Sequence, residues 1–496
     1  MSMANVELGL PNDSDLEQKA HQYDDQQARH GSNSNIGTDA SEGLLTMEDC
    51  INKVGFGRFQ YRLVLICGFL IAADAMELMM LSFLAPSVQC EWGLSDIEVS
   101  SLTTVTFVGM MFGSYFFGAL ADKYGRWLAM AIDCLFTFVF AIISAASVNF
   151  GMLAFCRAMV GFGIGGFGIS WNYYLEFIPT AHRGRWSCVL LAWWSLGALV
   201  EAGIAWLVLP SIGWRWLLAI SSAPLIFVFF GLFYLPESAR YLLVEGRVAD
   251  AWNVLESVGQ ENGNPIPYRS RIKPIAKMEL GPLEVLKTIF SEQWIHLTVN
   301  LWMLWFANAF CYYGLVIMVT VLQYTEGNDH FCDRDRIFGD NQFLQIFIAT
   351  AAEFPGLLLA AFVVDRVGRK ASQGGFFAGS GVLVAMLIPL NGMTNIDLVI
   401  LFGARMLITG AFTVTWLYTP EAYPTNIRTT AFGFANAFAR IGGAVSPFVA
   451  QDLLDEGLAW LAEAIIAAMC IFAGIAALML PIETAGKQMA AVSAAM

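Results

Sequence analysis

The stretch Gly118-Ala-Leu-Ala-Asp122-Lys123-Tyr-Gly125-Arg126-Trp127 leaves one long apolar run, turns through an acid, basic residues and a glycine, and enters a second apolar run. A degenerate copy, Ala361-Phe-Val-Val-Asp365-Arg366-Val-Gly368-Arg369-Lys370, does the same 243 residues later. Three more pairs keep nearly that offset. Arg157 with Gly161 answers Arg405 with Gly410, Glu176-Phe-Ile-Pro-Thr-Ala-His-Arg183 answers Glu421-Ala-Tyr-Pro-Thr-Asn-Ile-Arg428, and Pro236-Glu237-Ser238 answers Pro481-Ile-Glu483-Thr484. Four pairs in one order at offsets of 243 to 249 residues indicate two homologous halves joined by a linker.

The composition sets the class. The chain has 496 residues, 57% hydrophobic and 14% charged, with a mean hydropathy of +0.58. That is more apolar surface than a soluble core of this size can hide. A formal net charge of −14, carried mostly by polar segments and loops, argues against nucleic acid as a partner. The nine cysteines show no metal spacing, and most lie in apolar runs as small buried hydrophobes. Cys90 and Cys332 fall in loops, so a bridge between them is open.

Residues 1–58 are polar, lack a signal-peptide core and read as a disordered cytosolic tail. Twelve apolar runs follow, each long enough to cross a hydrocarbon core that takes ~20 helical residues. Six lie in 59–236 and six in 294–482. The polar linker 237–293 holds an amphipathic helix near 249–258, and 483–496 form a second tail. Lys and Arg concentrate in the loops carrying Lys123, Arg126, Arg183, Arg185, Arg366, Arg369, Lys370 and Arg428 and in the linker. By the positive-inside rule these loops and both ends are cytosolic.

No motif carries covalent chemistry or a cofactor. Gly161, Gly163 and Gly166 match G-x-G-x-x-G, but they sit inside an apolar run with no preceding strand, where small residues serve helix packing. There is no phosphate-binding loop, nucleophile elbow or metal spacing, so an enzyme and an ATP-driven pump are both disfavoured.

The informative residues are charges within apolar runs, each costing ~3 kcal/mol or more at the bilayer centre unless paired or wetted. Asp74 and Glu77 share one face of the first run at i, i+3 spacing. Arg157 and Arg405 lie at matching depths in the fourth and tenth runs; Asp133, Glu201, Glu353 and Arg440 complete the set. Asp74 with Arg157 reads as a switchable acid and its counter-ion, the alternative being a permanent buried pair. Asp122 and Asp365 beside Arg126 and Arg369 read as gate latches, and so do Glu176 with Arg183 and Glu421 with Arg428. In the seventh run Trp305, Asn308 and Tyr312 share one face; with Tyr313 and Trp194 they could line a cavity for a flat ring or a cation, or simply pack helices.

The repeated loops, Arg157 with its glycines, Pro236-Glu-Ser-Ala-Arg-Tyr-Leu and Tyr418-Thr-Pro-Glu-Ala-Tyr-Pro-Thr-Asn-Ile-Arg together resemble the major facilitator superfamily, over almost everything outside the first tail. Ala73-Asp-Ala-Met-Glu-Leu-Met-Met-Leu-Ser-Phe-Leu and Gly109-Met-Met are similar to its synaptic-vesicle-2-related group, which includes bacterial niacin transporters. Tyr174-Leu-Glu-Phe-Ile-Pro, Asn308-Ala-Phe-Cys-Tyr-Tyr-Gly and Glu353-Phe-Pro-Gly-Leu-Leu resemble plant organic cation/carnitine transporters proposed to carry nicotinate. The resemblance implies an all-α membrane protein of twelve transmembrane helices in two pseudo-symmetric six-helix bundles, with the substrate between them near the midplane. It also implies alternating access without a cofactor, in a monomer of the plasma membrane. Asp74, Glu77 and Arg157 would couple protons. Arg157 or Arg405 would meet a carboxylate, with Trp194, Trp305, Asn308, Tyr312, Tyr313 and Glu201 around the substrate. The first expectation is proton symport of nicotinate or a similar aromatic carboxylate. Transport of an organic cation held by Asp74, Glu77 and Glu201 is the second, and a receptor or trafficking protein that keeps the scaffold is the third. The seventh run lacks the Gln-Gln-x-Ser-Gly pattern of sugar porters, which disfavours a hexose.

Overall fold

The computed structural model describes residues 44–266, 271–272, 287–326, 339–389, 395–423 and 427–485. Two compact units divide the chain: a small one includes residues 44 and 271, and the other, 45–268 with 272 onward, holds the helices. Twelve long helical segments follow one another as the apolar runs predict. In the first half they are α1 (Arg58–Trp92), α2 (Asp96–Tyr124), α3 (Arg126–Ala145), α4 (Phe150–Glu176), α5 (Arg183–Ile212) and α6 (Trp214–Leu232). In the second they are α7 (Ile295–Glu326), α8 (Asp340–Val367), α9 (Arg369–Ala385), α10 (Asn395–Ala422), α11 (Arg428–Ala450) and α12 (Ala459–Leu478). Ten of these are long and apolar enough by themselves to cross a membrane. The other two are α9, with 17 residues, and α11, which buries Arg440 and Asn436 along its length.

Small residues let helix backbones meet. In α2 and α4 a Cβ added at Gly113 would lie 1.8 Å from the carbonyl oxygen of Phe162, and one at Gly161 would lie 2.0 Å from that of Thr106. The second half repeats the contact between α8 and α10, where Gly356 stands 2.3 Å, by the same measure, from the Met406 carbonyl. The packing role expected of Gly161 therefore holds. Gly161→Ala drives a methyl into a backbone that cannot rotate away. The expected cost is about 3 kcal/mol or more, read as a lowered melting temperature and loss of the monodisperse peak in detergent. Unchanged melting would show that the two helices can part freely.

The repeated loop becomes a repeated charge network. Gly125 and Gly368 both adopt positive φ, 104° and 96°, which the turn into the next helix requires of a residue without Cβ. In the first half Glu237 accepts the N–H of Arg126 at 2.9 Å, and the Arg126 guanidinium reaches Asp122 at 3.2 Å and Glu176 at 3.6 Å. In the second Glu483 accepts the N–H of Arg369 at 2.9 Å, while Arg369 reaches Asp365 at 2.9 Å and Glu421 at 3.3 Å. Each glutamate thus caps the open N-terminus of a helix, where free N–H groups favour an anion. Burial holds the Glu237 carboxyl above the usual carboxylate range, against the N–H donors of Ser238, Trp127 and Arg126. At Glu483 burial pushes the same way, but the N–H groups of Arg369, Ala485 and Lys370 prevail and hold it below that range.

Two expected latches need correction. Glu176 and Glu421 pair with Arg126 and Arg369, whereas Arg183 reaches Glu48 at 3.6 Å and Arg428 donates to the Tyr423 carbonyl at 3.1 Å. The seven-residue spacing was real, but the partner came from the loop two helices earlier. Part of the expected disordered tail is helical. Met47–Val54 is a helix with a complete Thr46/Asp49 capping box, and it buries Met47, Cys50, Ile51 and Val54. It packs with the linker helix Val248–Asn262. The signal was Thr46-x-x-Asp49 ahead of the apolar positions. Cys90 is disulfide-bonded; Cys332 lies outside the described residues, and so does most of both tails.

On the face opposite the Asp122 and Asp365 loops, hydrogen bonds join the halves. Thr104 donates to the Ala444 carbonyl at 2.8 Å, Trp206 Nε1 to Asp340 at 3.1 Å, and Ser100 to Asp452.

Candidate functional site

The buried charges sort into pairs that spacing alone did not assign. Arg157 Nη1 lies 3.0 Å from Glu77 Oε2, and its other amino group bonds Ser144. The expected partner, Asp74, is one turn away on α1 and not engaged. Its Oδ2 has no hydrogen-bond partner, and the charges acting on it are those of Arg440 and Glu77. Arg405 holds Glu353 at 2.9 Å, and both are fully buried. Ser221 donates to Glu201 at 2.8 Å within the first half.

Between the halves lies a cavity of about 50 Å³, room for a few waters; a flat ring enters only as the walls part. Its aromatic wall is Trp194 from α5, Tyr312 and Tyr313 from α7, and Phe412 and Trp416 from α10. Its polar wall is Glu353, Asn436 and Arg440. A hydrogen-bonded chain crosses it: Trp194 Nε1 donates to the Tyr312 hydroxyl at 3.0 Å, and that hydroxyl donates to Glu353 Oε1 at 2.7 Å. Arg405 donates to the same oxygen from behind. The Glu353 charge is therefore already compensated.

Arg440 is not compensated in this way. It is 8% exposed, its Nη1 has only the Met110 sulfur at 3.8 Å, and its Nε has no partner. Among the described residues no carboxylate lies within ion-pair distance of it. A buried cation facing a cavity, on which Asp74 acts only from beyond ion-pair distance, is a place for an anion.

Comparison with known proteins places this architecture. Residues 20–495 match the family model described as sugar (and other) transporter. The chain belongs to that family. Organic cation/carnitine transporter 7 of Arabidopsis thaliana is 36% identical to the transporter over 480 residues, covering 90% of this chain and 95% of that one. The synaptic vesicle 2-related protein of Xenopus laevis is 36% identical over 464 residues, covering 90% and 82%. The proton:xylose symporter XylE, a major facilitator superfamily protein, superposes with a TM-score of 0.67 at 18% identity, over 88% of this chain and 98% of that one. The transporter is thus an integral membrane protein of the major facilitator fold, in a family of carriers rather than enzymes.

The structure brings Trp194, Tyr312 and Tyr313 together at the cavity and leaves the other expected site residues elsewhere. Trp305 Nε1 donates to Thr419 at 2.9 Å and Asn308 to Thr415, both turned into the second bundle against α10. Arg157 and Glu201 are engaged by partners away from the cavity wall, and Arg405 stands behind that wall, held by its Glu353. The i, i+3, i+7 face was read one position out of phase: consecutive Tyr312 and Tyr313 point to the cavity, and the indole and amide point behind it. Missed altogether were Phe412 and Trp416, although Thr409, Thr413 and Trp416 recur at helical spacing. Arg440 had been noted only as a buried charge.

Proposed function

We propose that the transporter is a proton symporter of a small aromatic carboxylate, nicotinate or a close relative, and that Arg440 rather than Arg157 or Arg405 receives the carboxylate. The observation that carries this reading is Arg440, with no carboxylate in ion-pair contact among the described residues, in an aromatic cavity whose carboxylate, Glu353, is paired with Arg405. The ring would stack among Trp194, Tyr312, Tyr313, Phe412 and Trp416. The relative named for organic cations and carnitine supports the same class of small organic ion. A cation is the less favoured guest, because no free carboxylate faces the ring cluster.

Asp74 takes the proton in this reading. Ionised, it holds the attraction of Arg440 across the halves; protonated, it frees that guanidinium for substrate. One proton with one monoanion moves no net charge, so this step alone responds to a pH gradient only. In this reading the basic loops and both ends face the cytosol, in a plasma membrane carrier acting as a monomer.

Radiolabelled nicotinate uptake into proteoliposomes tests the reading. An acid exterior drives accumulation and choline does not compete; Asp74→Asn keeps nicotinate exchange but loses accumulation by at least tenfold. Block by choline with no nicotinate uptake would point to cation transport, and no flux of either to a non-transporting relative.

A further inference from the structure

The first half buries more acid than base: Asp74, Glu77, Asp133 and Glu201 against Arg157. Glu77 has Arg157, Glu201 has the Ser221 hydroxyl, and Asp74 faces Arg440. Asp133 on α3 has no such partner. It is 2% exposed and its Oδ1 accepts no hydrogen bond. Among the described residues no cation lies within ion-pair distance of it.

What it touches is a break in α4. α4 is two helices, Phe150–Ile164 and Phe167–Glu176, broken at Gly165 and Gly166. The Asp133 carboxyl lies against Gly166, where an added Cβ would meet its carbon at 2.7 Å and its oxygens at 2.8 and 2.9 Å. Ile164 and Phe167, which flank the break, are both part of the cavity wall. The acid thus backs a break whose flanking residues line the cavity. The charged group acting on it is Asp74 of α1, with the Cys134 thiol beside it on α3. Asp74 in turn faces Arg440 and Glu77. From α2, α4 and α6, which also pack on α3, no charged group among the described residues acts on it.

We infer that Asp133 carries a second coupling proton, taken up and released as the α4 break closes and opens the cavity. This rests on the proton-symport reading above. A carboxylate in a dry interior without a donor or a cation costs several kcal/mol, so the closed arrangement holds the neutral acid. A movement of Gly165–Gly166 that wets the carboxyl lets the proton leave, and the same movement reshapes the wall made by Ile164 and Phe167. Asp133 is a positioning residue: it acts on the substrate only through the bend. Two protons with one monoanion carry one net positive charge inward, so an inside-negative potential then drives uptake.

The test counts protons. With the potential clamped at zero and a pH difference of one unit, wild-type vesicles accumulate nicotinate about 100-fold for two protons, against about tenfold for one. Asp133→Asn, which mimics the neutral acid, keeps nicotinate affinity within about twofold. It accumulates only about tenfold and no longer responds to potential. A purely structural Asp133 would leave the proton count at its wild-type value. Wild-type accumulation of only about tenfold overturns the inference even if the variant fails to fold, and so does equal accumulation by wild type and variant. If nicotinate is not accumulated at all, the symport reading fails, and difference infrared spectra of the ligand-free protein decide separately. Between acid and alkaline pH the wild type loses one more protonated-carboxyl band than Asp133→Asn; identical band loss overturns the assignment.

Discussion

Arg440→Gln is expected to reduce nicotinate uptake about thirtyfold or more while leaving the protein folded. Removing one member of a buried charge pair costs about 2–5 kcal/mol, and each 1.4 kcal/mol is a factor of about ten in affinity. The loss should appear in the dissociation constant as well as in transport. Melting should stay close to wild type, because Arg440 makes no ion pair with a carboxylate in the ligand-free protein. Arg440→Lys keeps the charge but not the planar fork, so part of the binding returns. Scintillation proximity binding with purified protein separates these outcomes. Full affinity in Arg440→Gln would remove the guanidinium from the site and reopen the question of which residue meets the anion.

Arg157→Met should do the opposite, weakening the fold more than the site. It leaves Glu77 buried and uncompensated between α1 and α4, a situation that costs about 3–5 kcal/mol. Thermal unfolding in detergent should show this as a large drop, with most of it recovered when Glu77→Leu is added. Replacing a buried pair by packed apolar residues is often neutral, which makes the double variant informative. If the single variant melts like the wild type yet loses uptake, Arg157 belongs to the transport machinery as the sequence first suggested. Both predictions divide three arginines that look alike in sequence: two are held by glutamates within their own bundles, and one is left open to the cavity.

The two-bundle architecture was legible because its causes are local. Apolar runs of spanning length, basic residues in alternate loops and the returning Asp122–Arg126 and Asp365–Arg369 turns each depend on residues near in the chain. The Met47–Val54 helix escaped because its stability comes from packing on the linker helix, and only a weak capping pattern marked it. The ring cluster was half legible: Trp194, Tyr312 and Tyr313 stood out as deep aromatics, but Trp305 and Asn308 lie on a side of α7 that a neighbouring helix claims.

The sequence by itself determined that this chain spans a membrane as two related halves, and which side chains are charged where lipid penalises charge. Only the tertiary structure decided who meets whom: Glu77 rather than Asp74 for Arg157, Arg126 for Glu176, and, among the described residues, no carboxylate within ion-pair distance for Arg440. The reason is physical. Asp74 and Glu77 share one face of α1 a turn apart, so the rotation of α1 together with its axial position decides which of them meets Arg157. That rotation is fixed by glycine contacts such as Gly197 of α5 against the Ala72 carbonyl of α1, between residues more than a hundred positions apart in the chain.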